Sequence, residues 1–231
     1  MAMVIEQASL NEKLREEEQL VNFLERFHSP QVIDMIFRSS KSKQDQFMEP
    51  KDLTTTILFT DIKGFSAFAE RMAPREVNRI LNQYFSRMTD IIFEYGGTLD
   101  KYLGDGLMAI FGAPIEKADD AERAIQAAKR IRDEIKIMFS EGGIDVKFDM
   151  RFGINTGRVV AGQLGSSKRM DYTVIGDAVN TASRLQAIAM PNKIYIGEET
   201  YNLVKDKIKA NKLGSKKLKG KRKEIIVYEV L

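Results

Sequence analysis

The sequence has no cysteine and only one histidine among its 231 residues. Without cysteine there is no disulfide, no thiolate nucleophile and no cysteine-ligated zinc site. The single histidine, His28, stands beside Ser29-Pro30 near the N-terminus, which excludes Ser-His-Asp and Cys-His catalysis. Any chemistry in this chain must therefore use carboxylates, amines, guanidinium groups, amides and hydroxyls.

Long apolar runs and a strong net charge are also missing. No apolar stretch approaches the roughly 20 residues that a membrane-spanning helix needs, and the N-terminus lacks a signal-peptide pattern. We therefore expect a cytoplasmic chain without membrane contact. The formal net charge of +3 is too small to indicate nucleic-acid binding. Much of it lies between Lys216 and Lys223, where a solvated face and an anion-binding site both fit the pattern.

The chain divides into a short N-terminal segment and one larger domain. Between Gln7 and Phe27, apolar residues recur at spacings of three and four, which predicts a short coiled-coil helix or a helix packed on its own domain. Pro30 begins a second, shorter helix, and the polar stretch 38–51 is predicted to be a linker. We expect residues 1–50 to form a helical connector and residues 51–231 the main domain.

The main domain has the pattern of an α+β protein. Apolar and β-branched residues predict a buried strand from Leu53 to Thr60. Apolar residues spaced by three and four predict helices that begin near Pro74 and near Asp120. Further strands are predicted at 97–103, 107–111, 146–154, 159–165, 170–175, 193–196 and 225–230, and further helices at 176–189 and 198–205. The core order is β-α-β-β-α-β, which predicts a ferredoxin-like fold with a mostly antiparallel sheet and flanking helices.

Two aspartates stand at turns beside predicted strands. Asp61 follows an apolar strand, and Asp105 lies in a Gly-Asp-Gly turn with the signature of a hairpin. If strand and hairpin are neighbours, the two carboxylates face each other as hard oxygen ligands suited to Mg²⁺ or Mn²⁺. The turn after Asp61 leads into a helix, where free backbone N–H groups can receive phosphate; its residues are Ile62, Lys63, Gly64 and Phe65.

A later helix carries Asn180 and Arg184, which are four residues apart and therefore project from one face. An amide and a guanidinium at this spacing can orient a ribose and stabilise charge that grows on a phosphorus. Taken alone, the same pattern also fits an exposed polar face of a helix.

Three stretches together resemble the catalytic domain of class III nucleotidyl cyclases, specifically that of an adenylyl cyclase. The resemblance covers about residues 53–231. It rests on Phe59-Thr60-Asp61-Ile62-Lys63-Gly64-Phe65, on Leu99-Asp100-Lys101-Tyr102-Leu103-Gly104-Asp105-Gly106, and on Asp171-Tyr172-Thr173-Val174-Ile175-Gly176-Asp177-Ala178-Val179-Asn180-Thr181-Ala182-Ser183-Arg184.

The resemblance implies a role for each matching residue. Asp61 and Asp105, with Ile62, would hold two divalent cations, Mg²⁺ or Mn²⁺. Lys101 and Thr173 would select adenine. Asn180 would orient the ribose, and Arg184 would stabilise the transition state. Lys219 is similar to the family's lysine that meets the terminal phosphates.

The two base-selecting positions favour ATP over GTP. Adenine offers an N6 amine donor and an N1 acceptor, which match a lysine donor and a threonine acceptor. Guanylyl cyclases typically carry Glu where Lys101 stands and Cys or a similar residue at Thr173. A threonine here also resembles the subgroup that includes bicarbonate-responsive cyclases.

In the family, the metal-binding pair and the base, ribose and transition-state residues come from different chains. A chain with both sets is therefore implied to form a symmetric homodimer with two complete sites. The implied reaction is attack of the ribose 3′-hydroxyl on the α-phosphate of ATP, which gives cyclic AMP and pyrophosphate. The N-terminal helices resemble connectors to an upstream sensor domain.

Three other interpretations fit parts of the pattern. A guanylyl cyclase would use the same metal-binding residues, and a catalytically silent nucleotide-binding or dimerisation module would keep the fold alone. A polymerase-like or diguanylate cyclase domain predicts a Gly-Gly-Asp/Glu-Glu/Asp-Phe hairpin. The sequence instead has Leu103-Gly104-Asp105-Gly106.

Overall fold

The computed structural model describes residues 7, 15, 29–35, 49–140, 148–166, 169–221 and 223–231. The chain forms two compact units, Met1–Met48 and Glu49–Leu231. In the first unit, residues 30–35 are helical, and Val32 and Ile33 are buried. The coiled coil predicted between Gln7 and Phe27 lies outside the described residues apart from its positions 7 and 15, and so does most of the predicted linker.

The second unit is built on an eight-stranded sheet. Its strands are β1 (Lys51–Lys63), β2 (Thr98–Leu103), β3 (Gly106–Phe111), β4 (Asp149–Ser166), β5 (Arg169–Ile175), β6 (Ile194–Gly197), β7 (Ala210–Lys216) and β8 (Ile225–Val230). Their order across the sheet is β2-β3-β1-β4-β6-β8-β7, and β5 pairs with β4 outside this path. Every described pairing is antiparallel except that of β4 with β6.

Helices flank this sheet in the described part of the unit. They are α1 (Phe65–Ala69), α2 (Pro74–Glu94), α3 (Asp120–Ser140), α4 (Asp177–Ile188) and α5 (Glu198–Val204). The order β1-α2-β2-β3-α3-β4 confirms the predicted ferredoxin-like α+β core. Within the described ranges, no helix is both long enough and apolar enough to cross a membrane.

The sheet differs from the sequence prediction in two places. The strands predicted at 146–154 and 159–165 are one continuous strand, β4, because the polar residues between them pair with β1, Asn155 with Ile57 and Gly157 with Thr55. Long-range pairing here overrides a local turn signal. Strand β7 was not predicted because its sequence, Ala-Asn-Lys-Leu-Gly-Ser-Lys, is polar, as an edge strand can be.

Both faces of the sheet are covered around β1. Leu58 and Ile62 pack on one face with α2 and α3, whereas Ile57 and Phe59 pack on the other face with β5 and α4. Side chains alternate between the faces of a strand, so burial on both sides explains the continuous apolar run of β1. Asp61, one of the predicted site residues, lies near the end of this central strand.

Candidate active site

The fold brings Asp61 and Asp105 together; we call them the carboxylate pair. Asp61 lies near the end of β1, and Asp105 lies in the turn between β2 and β3. Because Thr60 of β1 is paired with Leu107 of β3, the tip of the hairpin reaches Asp61. The backbone N–H of Ile62 donates a hydrogen bond to Oδ2 of Asp105, with a donor–acceptor distance of 3.2 Å.

Two glycines permit this close approach. Gly104 has a φ of 66°, a left-handed conformation that glycine adopts without steric cost. Gly106 lies against β1, where a Cβ atom would collide with the carbonyl oxygen of Thr60. The Gly-Asp-Gly turn thus allows the hairpin to place its carboxylate directly against the end of β1.

The environment of the carboxylate pair favours a cation. Burial, followed by the neighbouring charge of Asp61, raises the pKa of Asp105 from 3.8 to about 6. A divalent cation between the two groups would relieve this repulsion, and carboxylate oxygens are ligands that Mg²⁺ and Mn²⁺ prefer. No cluster of three or more histidine or acidic side chains able to hold a metal occurs in the described part of the chain. A cation here would therefore need backbone and substrate oxygens as further ligands. The carboxylate oxygens of Asp61 and Asp105 fit such a site.

Two residues that the sequence did not point to also bind Asp61. Strand register places Arg151 of β4 opposite Asp61, and the Nη2 atom of Arg151 forms an ion pair with Oδ2 of Asp61. Nε2 of Gln186, from α4, donates to the same oxygen at 3.1 Å. Neither contact could be predicted from the sequence. The contact of Arg151 depends on the register between strands distant in sequence, and that of Gln186 depends on how α4 packs on the sheet.

Lys101 and Thr173 meet at a third residue, Asp100, and we call the three the Lys-Asp-Thr cluster. Oγ1 of Thr173 donates to Oδ2 of Asp100 at 2.9 Å, and Nζ of Lys101 lies 3.6 Å from the same oxygen. The Asp100 side chain is fully buried, and burial raises its pKa above the ordinary value. Thr173 is also buried, whereas the Lys101 side chain is 41% exposed. A base would therefore approach from the lysine side.

Asn180 and Arg184 lie on α4, on a different side from Gln186. At 3.6 residues per turn, Arg184 projects about 200° away from Gln186 around the helix axis. Gln186 contacts Asp61, whereas Nη2 of Arg184 lies beside Gly220, 3.1 Å from where a Cβ of that glycine would be. Within one chain, Arg184 thus faces away from the carboxylate pair.

The loop that carries Lys219 is held next to Arg184. Leu218 is buried in a small apolar cluster with Leu185, the neighbour of Arg184 on α4. Lys219 itself is exposed. The structure therefore brings the predicted transition-state and terminal-phosphate residues to one surface.

A cavity of about 640 Å³ opens at the N-terminal end of α4. Its lining includes two cations, Lys221, which forms an ion pair with Asp177, and the exposed Arg158 of β4, together with the acidic residues Glu198, Glu199 and Glu224. Sequence reasoning did not single out Arg158, because it lies in the stretch that was predicted to connect two strands.

The turn after Asp61 leads into a helix, as predicted, although the strand before it is longer than predicted. β1 continues to Lys63, and Gly64, with a φ of 77°, precedes the short helix α1. Lys63 and Gly64 are exposed, whereas the ring of Phe65 packs against Phe68. The backbone N–H of Ile62 is already bonded to Asp105, so the backbone at this turn also helps to hold the carboxylate pair together.

Known proteins of one family are similar to this chain in sequence. Residues 48–231 match the family model described as "Adenylate and Guanylate cyclase catalytic domain". The chain belongs to this family. The resemblance to class III cyclases inferred from the three motifs is thereby confirmed. An adenylate cyclase of Anabaena cylindrica is 38% identical to this cyclase domain over 184 residues, which are 76% of this chain and 36% of the relative.

Solved structures of both purine specificities resemble the cyclase domain. The adenylyl cyclase CyaB from P. aeruginosa superposes with a TM-score of 0.76 at 36% identity, over 79% of this chain and 96% of that one. The guanylyl cyclase Cya2 also gives 0.76, at 34% identity, over 79% and 94%. The chain spans about a third of the length of the curated relatives it matches. Overall similarity thus leaves the purine open, and the site residues must decide it.

Proposed function

We propose that this cyclase domain converts ATP into 3′,5′-cyclic AMP and pyrophosphate. The observation that carries the proposal is the Lys-Asp-Thr cluster, in which a lysine donor and a threonine oxygen lie at one place. This combination complements the N1 acceptor and the N6 amine of adenine, whereas guanine presents the reverse pattern. Two relatives that match the same region at 33% and 38% identity are named adenylate cyclases, which supports the same choice.

The carboxylate pair, with the backbone carbonyl of Ile62, would hold two divalent cations, Mg²⁺ or Mn²⁺. Bound cations would supply Lewis-acid stabilisation of phosphate oxygens and lower the pKa of the ribose 3′-hydroxyl. The protein's own contribution is to hold the carboxylates of Asp61 and Asp105 close together at the end of β1. Arg151 partly neutralises the pair by its ion pair with Asp61.

The remaining residues act on the nucleotide. In the reaction, the 3′-hydroxyl loses its proton to water and its oxygen forms a bond to the α-phosphorus. The bond from that phosphorus to the bridging oxygen of the β-phosphate breaks, and pyrophosphate leaves. Arg184 would donate hydrogen bonds to the charge that grows on the α-phosphate, and Asn180 would orient the ribose. Lys219 would bind the terminal phosphates, since its loop lies beside Arg184.

The position of Arg184 supports a site shared between two copies of the chain. Because Arg184 faces away from the carboxylate pair of its own chain, a second copy would supply it, together with Asn180. A symmetric homodimer then holds two such sites. Since the chain spans about a third of its curated relatives, we also propose a longer protein in which an upstream sensor domain acts through residues 1–50.

The test is turnover of ATP and of GTP, each with Mg²⁺ and with Mn²⁺, at several protein concentrations. We expect cyclic AMP from ATP, a higher kcat/KM for ATP than for GTP, and a specific activity that rises with protein concentration as dimers form. Preference for GTP would identify a guanylyl cyclase instead. Nucleotide binding without turnover under any of these conditions would identify a silent module.

A further inference from the structure

Asp100 lies at a β-bulge in β2. Leu99 is paired with Ala109 and Lys101 with Met108, so Asp100 has no partner on β3. Neighbouring residues in a regular strand point to opposite faces, but a bulge interrupts this alternation and redirects a side chain. The side chains of Asp100 and Lys101 consequently meet, with Oδ2 and Nζ 3.6 Å apart.

The hydrogen bonds of Asp100 are incomplete for a buried carboxylate. Oδ2 accepts the hydroxyl of Thr173 and lies near Lys101. Oδ1 is buried and has no hydrogen-bond partner among the residues that the structure describes. A buried acceptor without a partner destabilises a fold, so stability alone does not account for an aspartate at this position.

We infer that Asp100 is a positioning residue that sets the hydrogen-bonding pattern read by the purine base. The inference rests on the proposed adenylyl cyclase function. An ionised carboxylate only accepts hydrogen bonds, so the hydroxyl of Thr173 directs its proton to Asp100. A purine base that reaches Thr173 then meets only the lone pairs of Oγ1, which accept hydrogen bonds. Such an acceptor attracts the N6 amine of adenine and repels the O6 oxygen of guanine.

The same carboxylate also acts on Lys101. The lysine side chain is 41% exposed, and without a nearby anion its ammonium would be free to extend into solvent. Attraction to Asp100 keeps the ammonium beside Thr173, where it can donate to N1 of adenine. N1 of guanine carries a hydrogen and offers no acceptor there. One buried carboxylate thus orders both groups of the selecting pair.

The variant that tests this inference is Asp100→Asn, which keeps the shape of the side chain. Its amide can donate to Oγ1 of Thr173, which frees the threonine proton for the base. We expect the ratio of kcat/KM for ATP to that for GTP to fall about tenfold, the effect of roughly one hydrogen bond. The matched control is Asp206→Asn, which removes an exposed carboxylate between α5 and β7. That ratio should change less than about twofold, as for other surface substitutions.

A second background separates positioning from folding. In Thr173→Val there is no hydroxyl to orient, so adding Asp100→Asn should change the ATP-to-GTP ratio far less than it does in the wild type. If circular dichroism shows that Asp100→Asn is unfolded, Asp100→Ala serves the same test, because it removes the acceptor and adds no donor.

The outcomes distinguish the inference from the function on which it rests. If the wild type prefers ATP and Asp100→Asn leaves this preference unchanged, the positioning role is overturned, even if both activities fall together. The proposed adenylyl cyclase function is then unaffected. A wild-type preference for GTP overturns the proposed function before any variant is made.

Discussion

Lowering the pH from 7 to 5 should weaken Mn²⁺ binding by this cyclase domain about tenfold. Burial of Asp105, followed by the neighbouring charge of Asp61, raises the pKa of Asp105 to about 6. Below that pH, Asp105 carries a proton that a cation must displace. With the ordinary pKa of 3.8, the apparent dissociation constant would change by less than about 10% over the same interval.

The assay is calorimetric titration of the full chain with Mn²⁺ at pH 5, 6, 7 and 8, without nucleotide. Repeating each titration in two buffers of different ionisation enthalpy counts the protons released. We expect about one proton per cation at pH 5 and about a tenth of a proton at pH 7. The control is Asp105→Asn, which retains an oxygen for the Ile62 hydrogen bond but does not titrate. Any residual Mn²⁺ binding by this variant should lose the pH dependence.

Thermal unfolding of the metal-free protein gives an independent reading of the same pKa. Because the folded-state pKa of Asp105 is raised, its contribution to stability is complete below about pH 3.8 and is lost as the pH rises through about 6. Asp105→Asn should therefore raise the Tm at pH 8 and have little effect at pH 4. A Mn²⁺ affinity that is flat between pH 5 and 7, together with an unchanged Tm at pH 8, would refute the reasoning.

Three further predictions test the assembly, the chemistry and the hairpin. Mixing equal amounts of Asp61→Ala and Arg184→Ala chains should restore about a quarter of wild-type activity. Half of the dimers then contain one chain of each kind, and each of these dimers has one intact site out of two. Dimerised mixtures without activity would contradict a shared site. Arg184→Ala should lower kcat by about 100-fold with little change in KM, whereas an equal loss confined to KM would assign Arg184 to substrate binding. Gly106→Ala should destabilise the fold by about 1–3 kcal/mol in denaturant unfolding, because its Cβ would meet the carbonyl oxygen of Thr60, and an unchanged midpoint would show that the hairpin lies further from β1.

Much of the fold was predictable because its signals are local. Apolar spacing placed α2 and α3, and the run from Leu53 to Thr60 marked the central strand, which the structure extends to Lys51–Lys63. The strand predictions were wrong where pairing with a neighbouring strand, rather than the local sequence, determines the structure. The polar residues between the halves of β4 continue the strand because β1 lies beside them, and β7 is held at the edge of the sheet by β8. Neither effect leaves a periodic pattern in the sequence.

The candidate site shows the same division. Residue types and spacing pointed to Asp61, Asp105, Asn180 and Arg184, because carboxylates, amides and guanidinium groups have characteristic chemistry wherever they stand. The resemblance to class III cyclases added Lys101 and Thr173. The tertiary structure alone decided which groups share a partner. Strand register set Arg151 against Asp61, a bulge turned Asp100 towards Thr173, and the helical turn of α4 directed Gln186 and Arg184 to different sides. Such contacts depend on the relative placement of strands and helices distant in the chain, which no local stretch of sequence encodes.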